Sequence, residues 1–338
     1  MRCLRFILPL CLLLFSSIPA SALAPDREVT RVEVIAPSTP VLDDFTMTYI
    51  LARRGPAPDP AYRGEVWMWT DGPWIRPYHI VFTAADNGLI HYRMKFSGPA
   101  LQRIEPYELG PASTISVWSN PILPVAPGAR RLLWGALDHC DLPGLDFCLS
   151  ESGLPPALPG SAAVGLRVTW KQDDDRRLGS VTRPDGAEGE EPRLLAVTRN
   201  SVAEAVKKSA GAGNLLPTDG GLIGVWVDAP TPAGIYAALA AGRSYASWGG
   251  RILIAPDGKG RALVAGYGPR LTVTLLGGAD TTLATDDFHL TAALPSGSFV
   301  LTAAENDRTT TGVKSTGSVS ESRIDGQCAG RRGEDAGG

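Results

Sequence analysis

The chain has 338 residues, 35 acidic against 32 basic side chains, a formal charge of −3 and 44% hydrophobic content. Mild acidity of this kind excludes nucleic acid and an anionic membrane surface as main partners, because both select a basic patch. The length suffices for two domains of ordinary size.

Residues 1–24 read MRCLRFILPLCLLLFSSIPASALA. Arg2 and Arg5 form a basic start, Phe6 to Ile18 an apolar core, and Ala20 to Ala24 supply small-residue cleavage sites. The apolar run is well short of the ~20 residues a spanning helix needs, so this is a secretory signal peptide and no membrane span is expected. The expected location is secreted or periplasmic. Cleavage removes two arginines and no acid, which moves the charge from −3 to −5. Three cysteines remain: Cys140, Cys148 and Cys328. Cys140 and Cys148 could close a small disulfide in an oxidising compartment, provided their backbones approach closely enough.

Residues 25–126 show a period of two. Ile90, Tyr92, Met94 and Phe96 alternate with His91, Arg93 and Lys95, predicting a strand with the first set inward and the second in solvent. Further strands are predicted at Glu65–Trp69, Ile80–Phe82, Leu101–Glu105 and Thr114–Trp118, separated by Pro- and Gly-rich turns. About seven short strands in such a stretch point to an immunoglobulin-like β-sandwich. Trp67, Trp69 and Trp74 could line a sugar-binding face. The favoured reading places them in the core, where alternating aromatics of a sandwich usually lie.

Residues 127–220 read as loop-rich. Pro155-Pro156, the acidic run Asp173–Asp175 and the stretch Asp185–Glu191 interrupt two short strand candidates, Ala163–Trp170 and Leu194–Thr198. Ser201–Ser209 is a predicted helix, with Val202 and Val206 on one face.

Residues 221–304 return to order. Thr231 is a predicted N-cap with Pro232 at the first helical position, and Gly242 closes a helix over Pro232–Ala241. Ile235 and Leu239 are expected to pack it onto strands Arg251–Ala255 and Leu271–Leu276. A hairpin joins Arg251–Ala255 to Arg261–Gly266 through a Pro-Asp-Gly-Lys-Gly turn, and strands follow at Phe288–Ala292 and Phe299–Ala303. Residues 305–338, rich in Thr, Ser and Gly, are expected to be a disordered tail.

Two sets of words carry a resemblance. The first is GLIGVW at residues 221–226, the helix, then the run Gly242-Arg243-Ser244-Tyr245 leading to Arg251-Ile252. The second is Ser119-Asn120-Pro121-Ile122 followed by RLLWGALDHC, residues 131–140. Both are similar to a secreted family of uncharacterised function within the PHP (polymerase and histidinol phosphatase) superfamily of metal-dependent hydrolases. The resemblance covers roughly residues 28–139 and 200–303. It implies an immunoglobulin-like first domain, then a metal-binding barrel opened by a WGDLHxH strand.

The metal-binding word is altered. Aligned without a gap, the family's two histidines fall on Asp138 and Cys140; a shift of one places His139 at the first. The family's later Ser-Asp-x-His motif falls just before GLIGVW, where Asp219 persists and the histidine position is Gly221. About 80 residues separate WGALDHC from GLIGVW, too few for a barrel assembled from ~30-residue units. The candidate metal ligands are therefore Asp138, His139, Cys140 and Asp219. No catalytic residue is assigned. No cofactor is expected, with a divalent ion (manganese, zinc or iron) implied only if the family site survives. Ser150–Gly153 lacks the strand–Ser–helix context of a hydrolase elbow, and Gly249-Gly250 precedes a strand rather than a phosphate-cradling helix.

The expectation is a mainly β protein with minor α. It comprises an immunoglobulin-like β-sandwich, a degenerate, shortened α+β remnant of a PHP-like domain, and β-rich C-terminal strands. The expected function is that of a secreted, catalytically inactive relative of PHP-type phosphoesterases. The alternative is a non-catalytic secreted β-rich binding or structural module, with a small ester or a carbohydrate as ligand.

Overall fold

The computed structural model describes residues 30–54, 57–70, 78–109, 114–137, 139–154, 163–173, 176–198, 213–218, 221–248, 250–256, 260–268, 271–276, 281–293, 300–305 and 316–320. The signal segment, Trp74, Asp138, the predicted helix at 201–209, Asp219 and Cys328 lie outside these residues. The protein is mainly β, with one α-helix among the described residues, and no described helix is long and apolar enough to cross a membrane.

The first part is built from eight strands: β1 (Thr30–Ile35), β2 (Phe45–Arg54), β3 (Ala57–Pro58), β4 (Glu65–Thr70), β5 (Tyr78–Val81), β6 (Leu89–Lys95), β7 (Ile104–Leu109) and β8 (Thr114–Val117). One sheet runs β3-β2-β1-β8, with β6 also on β2; the other runs β5-β4-β7. The pairs are antiparallel except β1 with β8. Val32, Val34 and Ile50 from the first sheet meet Val66, Met68 and Ile104 from the second in one core. The register of β6 follows its alternation: Met94 and Phe96 are buried, and Arg93 and Lys95 exposed. Tyr92 packs partly against the core. His91 is half-buried rather than solvated, because it sits edge-on to Tyr49 with ring centroids 5.2 Å apart.

The tryptophans of β4 overturn the favoured expectation. Val66 and Met68 are fully buried, so the pleat turns Trp67 and Trp69 outward, and Trp69 is 41% exposed. The strand β7 beside it in the sheet is also shifted: Ile104–Leu109 rather than Leu101–Glu105.

The second part comprises β9 (Arg131–Ala136), β10 (Phe147–Ser150), β11 (Val164–Leu166), β12 (Val168–Asp173), β13 (Arg176–Val181), β14 (Arg193–Val197), β15 (Asn214–Pro217), β16 (Leu222–Val227), α1 (Pro232–Ala240), β17 (Ser244–Trp248), β18 (Leu253–Pro256), β19 (Arg261–Ala265), β20 (Leu271–Leu276), β21 (Thr281–Thr285), β22 (His289–Ala293), β23 (Val300–Glu305) and β24 (Thr316–Ser320). A nine-stranded sheet has the order β11-β10-β9-β16-β17-β24-β23-β20-β21. Two smaller sheets, β12-β13-β14-β15 and β18-β19-β22, accompany it.

Two expectations are corrected here. The stretch 127–220 is not loop-rich, since it supplies seven strands, including all four of the β12–β15 sheet. Its turn residues dominate the composition and hide short strands between them. Residues 316–320, read as tail, form β24 between β17 and β23, where backbone pairing requires no apolar pattern.

Helix α1 starts as its sequence dictates. Thr231 caps it by accepting a hydrogen bond from the Gly234 amide at 3.1 Å, and Gly242 leaves it at φ +66°. Its packing differs from expectation. Ile235, Ala238 and Leu239 join Leu133, Phe147, Val225 and Val227 in one core. The strands β18 and β20 belong to another core, with Leu132, Trp134 and Tyr245. Both faces of β9 and β16 are covered, so adjacent residues such as Leu132 and Leu133 serve opposite cores. A short connection returns α1 onto the Val225 and Val227 face, away from β18 and β20.

Candidate functional site

Three of the candidate metal ligands, Asp138, His139 and Cys140, follow β9 in the sequence. Cys148 lies opposite Ala136 in the β9–β10 hairpin, and the turn after β9 folds back so that Cys140 reaches Cys148. Their Cα atoms are 4.9 Å apart and the sulfurs are bonded. This corrects the assignment of Cys140 as a metal ligand: its sulfur is committed to a disulfide and cannot coordinate as a thiolate. His139 is exposed. Gly135 pairs with Ile223, so the end of β9 and the start of β16 lie side by side at one end of these strands. Asp138 and Asp219 fall outside the described residues. Among the described residues, no three His, Cys, Asp or Glu side chains gather in a metal-binding group.

The remaining words converge on packing. Strand β9 pairs antiparallel with β16, and β16 antiparallel with β17. The WG, GVW and SY segments are thereby neighbours. The rings of Trp134 and Tyr245 meet edge to face, with centroids 5.6 Å apart. Gly224 lies beneath both: a Cβ there would come within 2.9 Å of the Tyr245 ring and 3.1 Å of the Trp134 ring. The Tyr245 hydroxyl donates to the Ile252 carbonyl at 2.9 Å and accepts from the Ile254 amide at 3.3 Å. Burial pushes that phenol's pKa far above its ordinary value. Trp226 Nε1 donates to the Ile254 carbonyl at 3.1 Å.

The same region joins the two parts of the chain through polar contacts. Trp134 Nε1 donates to Ser38 Oγ at 3.0 Å, and the Leu132 amide to Thr39 Oγ1 at 2.7 Å. Asn120, from the Ser-Asn-Pro-Ile word, accepts from the Ala36 amide at 3.1 Å and donates to Ser38 Oγ at 3.3 Å. The Arg103 guanidinium lies between the rings of Trp118 and Phe288, at 4.2 and 3.8 Å, and donates to the Tyr267 carbonyl at 2.5 Å. Arg131 pairs with Glu151. Asp228 is held by Arg130 Nε at 2.8 Å and Arg243 at 2.7 Å, and these hydrogen bonds lower its pKa.

Chemically, these contacts hold and position the strands. Arg243 of the resembling words serves Asp228, and Tyr245 serves the backbone of β18. Sequence reasoning passed over Ser38, Thr39 and Arg103, which bond to partners 93 to 164 positions away. Compared with protein-family models and with curated proteins, the chain matches none.

Proposed function

We propose that the chain is a secreted, non-catalytic β-rich binding or structural module, derived from a PHP-like metallohydrolase whose metal site has degenerated. The disulfide at Cys140 carries this reading, because it consumes a side chain at one of the two altered histidine positions. The antiparallel course of β9, β16 and β17 supports it further. A barrel of βα units places its strands parallel, whereas these three alternate in direction. The signal segment and the disulfide agree on an oxidising compartment. The two-sheet sandwich, with β1 parallel to β8, supports an immunoglobulin-like first domain.

The ligands left for a metal are Asp138, His139 and Asp219. Adjacent side chains of an extended segment point to opposite sides, so Asp138 and His139 would not both reach one ion. The one or two ligands that remain leave most of its coordination to water, which gives weak binding and little activation of bound water. The test is metal analysis of the purified protein by plasma emission, with a generic phosphoesterase assay in added manganese, zinc or iron. Substoichiometric metal and background turnover are expected. Two metals per chain, with hydrolysis lost in Asp219→Ala, would overturn the reading.

A further inference from the structure

The outer face of the β5-β4-β7 sheet gathers exposed apolar side chains. Of the four exposed large hydrophobic side chains among the described residues, three, Trp69 (41%), Val81 (50%) and Tyr107 (58%), lie on these strands. Register places them together. Trp67 stands between His79 on β5 and Tyr107 on β7, and Trp69 is opposite Glu105. The His79 ring stacks on Trp67 at 4.3 Å with planes 19° apart, and its Nε2 lies 3.1 Å from Glu65.

The chemistry of the face selects its occupant. These strands carry carboxylates at Glu65 and Glu105 and contain no Lys or Arg, so an anionic ligand is repelled. Carboxylate oxygens accept hydrogen bonds and never donate, so the ligand must bring donors. Rings demand an apolar face to cover them. A neutral sugar ring offers both, with C–H bonds on its faces and hydroxyl donors around its rim. A compact cation would need rings closing around one point, but one face of Trp67 is already taken by His79. Trp69 and Tyr107 lie diagonally across the ladder, about 7 Å apart by sheet geometry. Such spacing suits an extended chain better than a point charge.

We infer that this face binds a neutral polysaccharide, with Trp69 and Tyr107 stacking on sugar rings and Glu105 accepting from hydroxyls. The inference rests on reading the chain as a binding module and names that module's ligand class. The test is affinity electrophoresis of the signal-free chain in gels containing xylan, mixed-linkage β-glucan or dextran. Retardation by at least one of them is expected. Trp69→Ala and Tyr107→Ala should each weaken it about tenfold, the scale of a binding hot spot. Tyr107→Phe, which keeps the ring, should stay within about twofold. Phe45→Ala, an equally exposed ring on the other sheet, should change nothing. Circular dichroism of each variant guards against misfolding. The proposal fails if no polysaccharide retards the protein, or if both alanine variants match wild type. It also fails if tetramethylammonium abolishes retardation, or if the protein is a dimer that Trp69→Ala turns into a monomer. None of these outcomes bears on metal content or phosphoester turnover, so the two readings fail separately.

Discussion

Trp134 Nε1 donates to Ser38 Oγ at 3.0 Å across 96 positions of sequence, and both residues are fully buried. This bond ties the first strand of the second part to the sandwich. Ser38 also accepts from Asn120, so one hydroxyl serves two buried donors. Ser38→Ala leaves both without that acceptor and should cost about 1–3 kcal/mol, the desolvation penalty of an unmade hydrogen bond. Urea denaturation of the variant against wild type measures it. A change under about half a kcal/mol would mean that water replaces the hydroxyl.

Arg103 joins the same two parts by stacking. Lysine keeps the charge but loses the planar surface lying between Trp118 and Phe288. Arg103→Lys is expected to lower unfolding stability by about 1–2 kcal/mol, the range of a desolvated cation–π contact. Thermal melting followed by tryptophan fluorescence checks it, and an unchanged midpoint would refute it.

Leu239→Ala should cost about 2–5 kcal/mol, because Leu239 is buried between α1 and the sheet carrying Val225 and Val227. An exposed substitution changes stability by about half a kcal/mol at most, so a denaturation curve separates the two cases.

The Cys140–Cys148 bond closes a short loop, with a sequence separation of 8. Cys148→Ser should therefore cost about 2–3 kcal/mol by loop-closure entropy. Thiol labelling under denaturing conditions should find one free cysteine in the mature chain and three after reduction, in keeping with Cys140, Cys148 and Cys328. Three reactive thiols before reduction would refute the bond.

Four tyrosines among the described residues, Tyr49, Tyr92, Tyr245 and Tyr267, have pKa values raised from the ordinary 10.0, in each case first by burial. The folded state then holds its phenolic protons more tightly than the unfolded state. Stability from this source is complete below pH ~10 and falls as pH rises further, while unfolded phenols ionise and folded ones do not. Denaturation midpoints measured upward from pH 9 should decline above about pH 10. Tyr245→Phe should shallow the decline, and an identical slope in that variant would sink the assignment.

Legibility in the sequence followed the number of apolar sets in each strand. Residues 90–96 have one, since Arg93 and Lys95 permit a single register, and Met94 and Phe96 are buried accordingly. Residues 65–69 have two, because Val66 and Met68 compete with Trp67 and Trp69 for the core. The deciding signs were Glu65 on the tryptophan parity and Glu105 opposite Trp69, and the latter needs the register. The start of α1 was local chemistry and readable from Thr231 and Pro232. Its buried face, with Ile235 and Leu239, was readable too, but the strands it packs on were not, because β9 and β16 are buried on both sides. The second half of β12 and all of β13 were obscured by polar residues that the pairing explains. Trp170 lies opposite Gly179, and Arg177 stacks on its ring at 4.9 Å. The altered metal word could be read as altered, whereas the disulfide within it depended on how the turn after β9 folds back.

Gly224, lodged under Trp134 and Tyr245, makes those three positions a single mechanical unit. A side chain at Gly224 displaces both rings, and loss of either ring leaves a void beside the glycine. Such a unit resists change one residue at a time, whatever happens at the exposed turn a few residues beyond. Likeness in these words therefore tracks the interlock of three strands and carries no information about chemistry at the turn beyond them.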